Sequence, residues 1–244
     1  MAASRARPAF YALEPGSWRD YVTLLHLPYT LWHLGYVVIG ASLAPQLPVG
    51  RTALTVLAFF LGLGVCAHAL DELHGRPLQT RIGTPVLVVL AAASLVGAVA
   101  IGLGVAIAHD LWLLPFIGFG AFIVCAYNLE LFGGGFHNTL WLALAWGAFP
   151  ILTAYFMAAD TIRGEAVLAA AFGALLICAQ RALSTQVRDV RRRVAAVSGT
   201  IERPDGRVEE ITRESLIGPA EIALKFIAAS VVALALALLV LRLT

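Results

Sequence analysis

Residues 84–108 read TPVLVVLAAASLVGAVAIGLGVAIA, a run without a single acidic or basic side chain. At about 1.5 Å per residue, a helix of this length crosses the roughly 30 Å hydrocarbon core of a bilayer. Membrane strands are about ten residues long and alternate apolar with polar, and this run does neither. A lipid-exposed backbone must also satisfy its own hydrogen bonds, so the spanning form is a helix. Working outward, comparable runs lie approximately at 20–43, 52–72, 111–129, 138–158, 164–187 and 218–241, giving seven expected spans in 244 residues. The chain is 60% hydrophobic and 13% charged with mean hydropathy +0.84, against about 25% charged in soluble domains. The expected class is an all-α integral membrane bundle: residues 1–19 an amino-terminal segment, 20–244 one transmembrane domain, 188–217 a loop within it.

Charge sets the expected orientation. Arg5, Arg7 and Arg19 precede span one, Arg76 and Arg81 separate spans two and three, and Arg188 through Arg213 fall between spans six and seven. The other side carries Arg51, Arg163 and Arg242. The positive-inside rule then puts the amino terminus in the cytoplasm and the carboxy terminus outside a cell (inner) membrane. The first 19 residues hold no apolar core adjoining a small-residue cleavage site, so span one is expected to stay rather than be removed as a signal peptide. A net charge of +2 suggests no nucleic-acid partner, and Arg191-Arg192-Arg193 reads as a topology determinant near anionic lipid.

Cys66, Cys125 and Cys178 lie singly in spans two, four and six, without the spacing of a zinc site or disulfide framework. Each is followed by Ala and then by a polar residue, His68, Tyr127 or Gln180, at one end of an even-numbered span. This hints at a repeated helical hairpin whose ends converge on one cytoplasmic pocket.

Candidate chemistry gathers at those ends. His68 stands three residues from Asp71 and four from Glu72, so the three share one helix face. Such a set can bind a divalent ion, with carboxylates suiting magnesium and histidines admitting zinc or iron; alternatively Asp71 and Glu72 pair with Arg76 or Arg81. Span four ends in Tyr127-Asn128-Leu129-Glu130, and span six aligns Arg181, Thr185 and Arg188 in a stripe, with Asp189 beside it. Arginine forks match phosphate oxygens in geometry and charge. From Arg188 onward, emergence into water accounts equally for the polarity; Arg181, deeper in the span, points to function.

In order along the chain, Leu27-Pro28-Tyr29-Thr30 with Gly40-Ala41, the acidic end of span two running into Gly75-Arg76-Pro77-Leu78, Tyr127-Asn128, and Gly147 with Pro150 resemble the UbiA superfamily of intramembrane prenyltransferases over roughly residues 20–195. The resemblance implies a UbiA-like helical bundle around a cavity, where Mg2+ and a prenyl diphosphate are held by aspartate-rich motifs at the ends of spans two and six. The isoprenyl group passes to an aromatic, lipid or sugar-phosphate acceptor. On that basis Asp71, Glu72 and His68 are the expected catalytic residues. Asp71, Glu72, Asp189 and His68 are the metal ligands, and Arg181, Arg188, Tyr127, Asn128, Arg76 and Thr185 contact substrate. Tyr29, Trp32, Tyr36, Phe119, Phe122 and Tyr127 are candidate aromatic lining for an allylic cation.

The chain also departs from the family pattern. Stepping by four from Ala67 reaches Asp71 and then Gly75, and the ladder in span six reads Arg181, Thr185, Asp189, so each motif keeps one aspartate. The family usually has nine helices, which leaves a missing terminal hairpin or a bundle completed by a second copy or partner subunit. Residues 200–211 place apolar positions around Asp205-Gly206, the pattern of a short β-hairpin that either lids the cavity or merely connects spans. Two function classes remain: the prenyltransferase, and a diverged isoprenoid-binding or scaffold protein. A secondary transporter is disfavoured because no inverted repeat or paired broken helices are evident.

Overall fold

The computed structural model describes residues 7–244; Arg5 lies outside them. The chain is mainly helical. Helices α1 (Trp18–Leu24) and α2 (Leu27–Leu43) form the first hydrophobic segment and meet at a 45° bend. They are followed by α3 (Val49–Leu73), α4 (Thr84–Ala108), α5 (Leu111–Asn128), α6 (Thr139–Ala159) and α7 (Gly164–Arg193), and after the hairpin β1 (Thr200–Glu202) and β2 (Val208–Glu210) by α8 (Arg213–Leu243). Six of these helices are long and apolar enough to cross a membrane, seven if the bent pair counts as one span. This is the pattern of a multi-pass membrane protein, and it matches the seven runs in the sequence, including 84–108 to the residue.

The bend has a local cause. Pro28 sits in the first turn of α2, where its missing N–H costs nothing, while proline disfavours continuing a helix through the residues before it. His26 takes up the change of direction in a left-handed conformation, φ 46° and ψ 46°. Two other spans contain π-helical turns, Phe60–Cys66 in α3 and Ala143–Ala148 in α6. Each inserts extra backbone and rotates the following side chains, a feature that recurs at functional sites.

α2 is the central strut, packed by α8, α6 and α3. Trp32, Tyr36 and Val37 on it are fully buried, and Tyr36 Oη donates to the Gly173 carbonyl at 3.2 Å. Lipid tails are as apolar as leucine, so close helix contact here depends on small residues rather than on expulsion of water. At the α6–α7 crossing, a Cβ on Gly147 would fall 2.7 Å from the Gly173 carbonyl oxygen. The outward faces are apolar: Val89, Val96 and Ile107 on α4, Leu168 and Leu175 on α7, and Phe226 on α8 are all exposed.

The hairpin pairs Thr200 with Glu210 and Glu202 with Val208 in antiparallel register, and every residue of both strands is exposed.

Candidate functional site

The ends of α3, α5 and α7, the start of α2 and the amino-terminal segment enclose a cavity of ≈ 510 Å³. His68, Asp71, Tyr127, Asn128, Arg181 and Arg188, all singled out from the sequence, line it. Glu72, Arg76, Thr185 and Asp189 do not.

Glu72 is fully buried and turned away from this space. Its carboxylate accepts the Leu78 N–H at 3.0 Å, the Thr80 N–H at 2.8 Å and the Thr80 hydroxyl at 2.9 Å, closing the loop after α3. Arg76 belongs to the same loop and donates to the carbonyls of Thr80 and Ile82 and to the Thr84 hydroxyl. Neither pairs with the other: the loop backbone supplies the partners. In α7, Thr185 and Asp189 fall on the exposed side; Thr185 accepts from Arg188 at 3.3 Å, and Asp189 lies 3.8 Å from Arg193.

The expected metal set of His68, Asp71, Glu72 and Asp189 is therefore divided among three environments. Among the described residues, no three His, Cys, Asp or Glu side chains come together as a metal site. The donor set does not fit a protein-built magnesium centre.

What does assemble has two walls. One is basic, with Arg181, Arg188, Arg192 and Arg193 of α7 lining the cavity. Arg181 Nη1 donates to Tyr127 Oη at 2.9 Å, and the Tyr127 ring is held between His137, stacked at 4.4 Å, and Trp146 at 4.6 Å. The other wall carries Asp71 and three histidines, His26, His33 and His68. His68 Nδ1 lies 3.0 Å from the Gly64 carbonyl in the π-helical turn. A carbonyl only accepts, so this bond assigns the proton to Nδ1 and leaves the Nε2 lone pair as an acceptor. The His26 ring stacks on His68 with centroids 3.9 Å apart and 19° between planes.

The interior beyond these walls is apolar and aromatic, formed by Trp146, Leu142 and Ile177. Of the aromatics expected as lining, Tyr29 and Tyr127 face the cavity, whereas Trp32 and Tyr36 are sealed in the α2 core. Phe119 packs on Phe149 at 5.0 Å, and Phe122 is partly exposed beside Phe136. A second, wholly separate lining encloses an apolar space of ≈ 120 Å³ between α3, α4, α5 and α6, edged by Phe59, Phe116 and Phe149.

His26, His33 and Arg192 were not anticipated as site residues. His26, Tyr29 and His33 follow at intervals of three and four, one helix face, and polar residues on such a face of an apolar span are the signal that locates them. The amino-terminal segment carries no such periodicity, yet Pro8, Phe10 and Tyr11 also line the cavity.

No protein-family model, no curated protein and no solved structure matches this chain.

Proposed function

We propose that the protein is a prenyltransferase-like membrane protein whose cavity takes a prenyl diphosphate, head group against the arginine wall and isoprenyl chain towards Trp146 and Ile177. The cavity opens on the cytoplasmic side in this reading. The observation that carries it is the juxtaposition, in one ≈ 510 Å³ space, of four arginines, Arg181, Arg188, Arg192 and Arg193, with an apolar aromatic interior. That combination suits an amphiphile with a phosphorylated head. Charge neutralisation falls to Arg181, Arg188 and Arg192, and in a recess shielded from water such contacts strengthen. In transfer, the same arginines stabilise the departing diphosphate, while His68 Nε2 or the Asp71 carboxylate receives the proton lost by a hydroxyl-bearing acceptor.

A second reading, binding of a prenyl phosphate without transfer, is favoured by one specific observation. Glu72 and Asp189, two of the acids expected as metal ligands, are engaged elsewhere.

Thermal unfolding of the purified protein with prenyl diphosphates, the matching prenyl alcohols and inorganic diphosphate tests the proposal. A diphosphate of suitable chain length at 100 times its dissociation constant should add about 2.7 kcal/mol, and the alcohol much less. Equal stabilisation by alcohol and diphosphate, or by neither, rejects the head-group assignment. Turnover with an acceptor panel then separates transfer from binding alone.

A further inference from the structure

Residues 8–11 of the amino-terminal segment form part of the cavity's lining. Ala9 and Ala12 are buried against Leu78 of the loop after α3. The Tyr11 hydroxyl lies 3.1 Å from His26 Nδ1, and its ring packs edge-on against Tyr29 at 5.6 Å. Burial pushes the Tyr11 hydroxyl above the ordinary phenol range, so it remains a donor at neutral pH. Phe10 contacts Tyr29 on one side and Lys225 of α8 on the other, with Nζ 5.3 Å from the ring centroid. Residues 8–13 thus touch α1, α2, the α3 loop, α7 and α8, but through few hydrogen bonds: a turn from Ala12 N–H to the Ala9 carbonyl, Leu13 N–H to Thr23 Oγ1 at 3.0 Å, Tyr11 to His26, and Arg192 Nε to the Pro8 carbonyl. The next residues contain a hinge, with Gly16 at φ 146° and Ser17 at φ 47°.

Arg191 and Arg192 differ in what they have left to give. Arg191 is fully used, bidentate to Glu221 at 2.5 and 2.8 Å and donating Nη1 to the Arg7 carbonyl. Among the described residues Arg192 uses only Nε, on the Pro8 carbonyl at a long 3.4 Å, and it lines the cavity. Its side chain thus joins the segment carrying Pro8 to the space where a head group would lie.

We infer that residues 8–13 form a closure over the cavity, and that a bound phosphate-bearing head group locks it through Arg192. The inference rests on the head-group reading above. An anion on the terminal nitrogens fixes the guanidinium plane, which shortens and orders the Nε contact to Pro8. The bound ligand thereby slows its own escape. Lids of this kind, held by few contacts and a glycine hinge, open on the microsecond to millisecond scale.

Hydrogen exchange of the full-length wild-type protein in nanodiscs tests this, read at the Ala12 and Leu13 amides with and without a prenyl diphosphate whose dissociation constant is measured in parallel. The expected result is at least a tenfold slowing of both amides at saturation. Arg192→Gln should retain measurable binding through Arg181 and Arg188 yet lose the slowing. Tyr11→Ala should speed exchange in ligand-free protein and raise the ligand off-rate. A second readout is thiol labelling of A12C with the three native cysteines replaced by Ala: Ala12 is a buried residue of the segment, packed against Leu78, so labelling reports the segment's lifting. Measured binding with unchanged exchange and labelling overturns the lock and leaves the head-group reading standing. Absence of any binding overturns both.

Discussion

Glu72 and Asp71 are adjacent in sequence and opposite in role. Three donors converge on the Glu72 carboxylate in a site without solvent, so Glu72→Gln should cost about 1–3 kcal/mol by leaving a buried donor without an acceptor. Thermal unfolding measures it, and ligand affinity in the surviving fold should be unchanged. Asp71 lines the same cavity as the arginines and makes no hydrogen bond among those of the described side chains. If arginines alone hold the head group, Asp71→Asn removes a repelling charge, and prenyl diphosphate should bind about fivefold tighter, the ~1 kcal/mol of a screened pair. A metal bridge from Asp71 to phosphate predicts the reverse sign, so the affinity of this one variant decides between them. The helix-face argument correctly placed His68 and Asp71 together because three residues nearly complete a turn. It could not foresee that Glu72, one residue on, points into the loop, since the loop's unpaired N–H groups are a tertiary fact. The same limit hid Arg76, whose Gly-Arg-Pro-Leu context resembles a substrate-binding motif while its guanidinium ties the loop backbone.

At the scale of elements, apolar run length made every long helix legible, because unbroken apolar runs of this length lack the polar alternation of a membrane strand. The break between α1 and α2 was carried by Pro28, yet His26's left-handed conformation and its stacking on His68 depend on where α3 lies. The π-helical turns have no pattern in the sequence that marks them. The hairpin was legible from Asp205-Gly206, but its role was not. None of its residues lines the cavity, and residues 8–11 of the amino-terminal segment do so instead. Deleting residues 200–211 should leave the dissociation constant for prenyl diphosphate unchanged. The hairpin's own pairing is pH-dependent. The Arg207 backbone N–H and then its side chain hold Asp205 below the usual carboxylate range, and the Arg203 side-chain bond does the same for Glu209. Folded values below the unfolded ~3.9 and ~4.3 mean the carboxylates stabilise the pairing above those values and lose it as pH falls through the folded ones. Cross-strand contacts seen by NMR at neutral pH should weaken below about pH 4.

For the whole molecule, the convergence of even-numbered spans hinted at by Cys66-Ala67, Cys125-Ala126 and Cys178-Ala179 corresponds to a real cavity at the ends of α3, α5 and α7. The contribution of residues 8–11 to the lining could not be read because nothing in Pro8-Ala9-Phe10-Tyr11 distinguishes a docked segment from a solvated one. The bundle depends on the α6–α7 crossing, where backbones touch. Gly173→Ala sets a Cβ 2.7 Å from the Gly147 carbonyl oxygen and should cost about 1–3 kcal/mol through overpacking, again seen in thermal unfolding. That crossing carries Arg181 into position beside Tyr127. Equilibrium binding of a radiolabelled prenyl diphosphate to the protein in nanodiscs, comparing wild type with Arg181→Gln, is the most direct test of the central claim. The account predicts saturable binding to wild type that competes with inorganic diphosphate and weakens about 10- to 100-fold in the variant, the range of a charge-assisted contact. Saturable binding of equal strength to both proteins, or none to wild type, would contradict it.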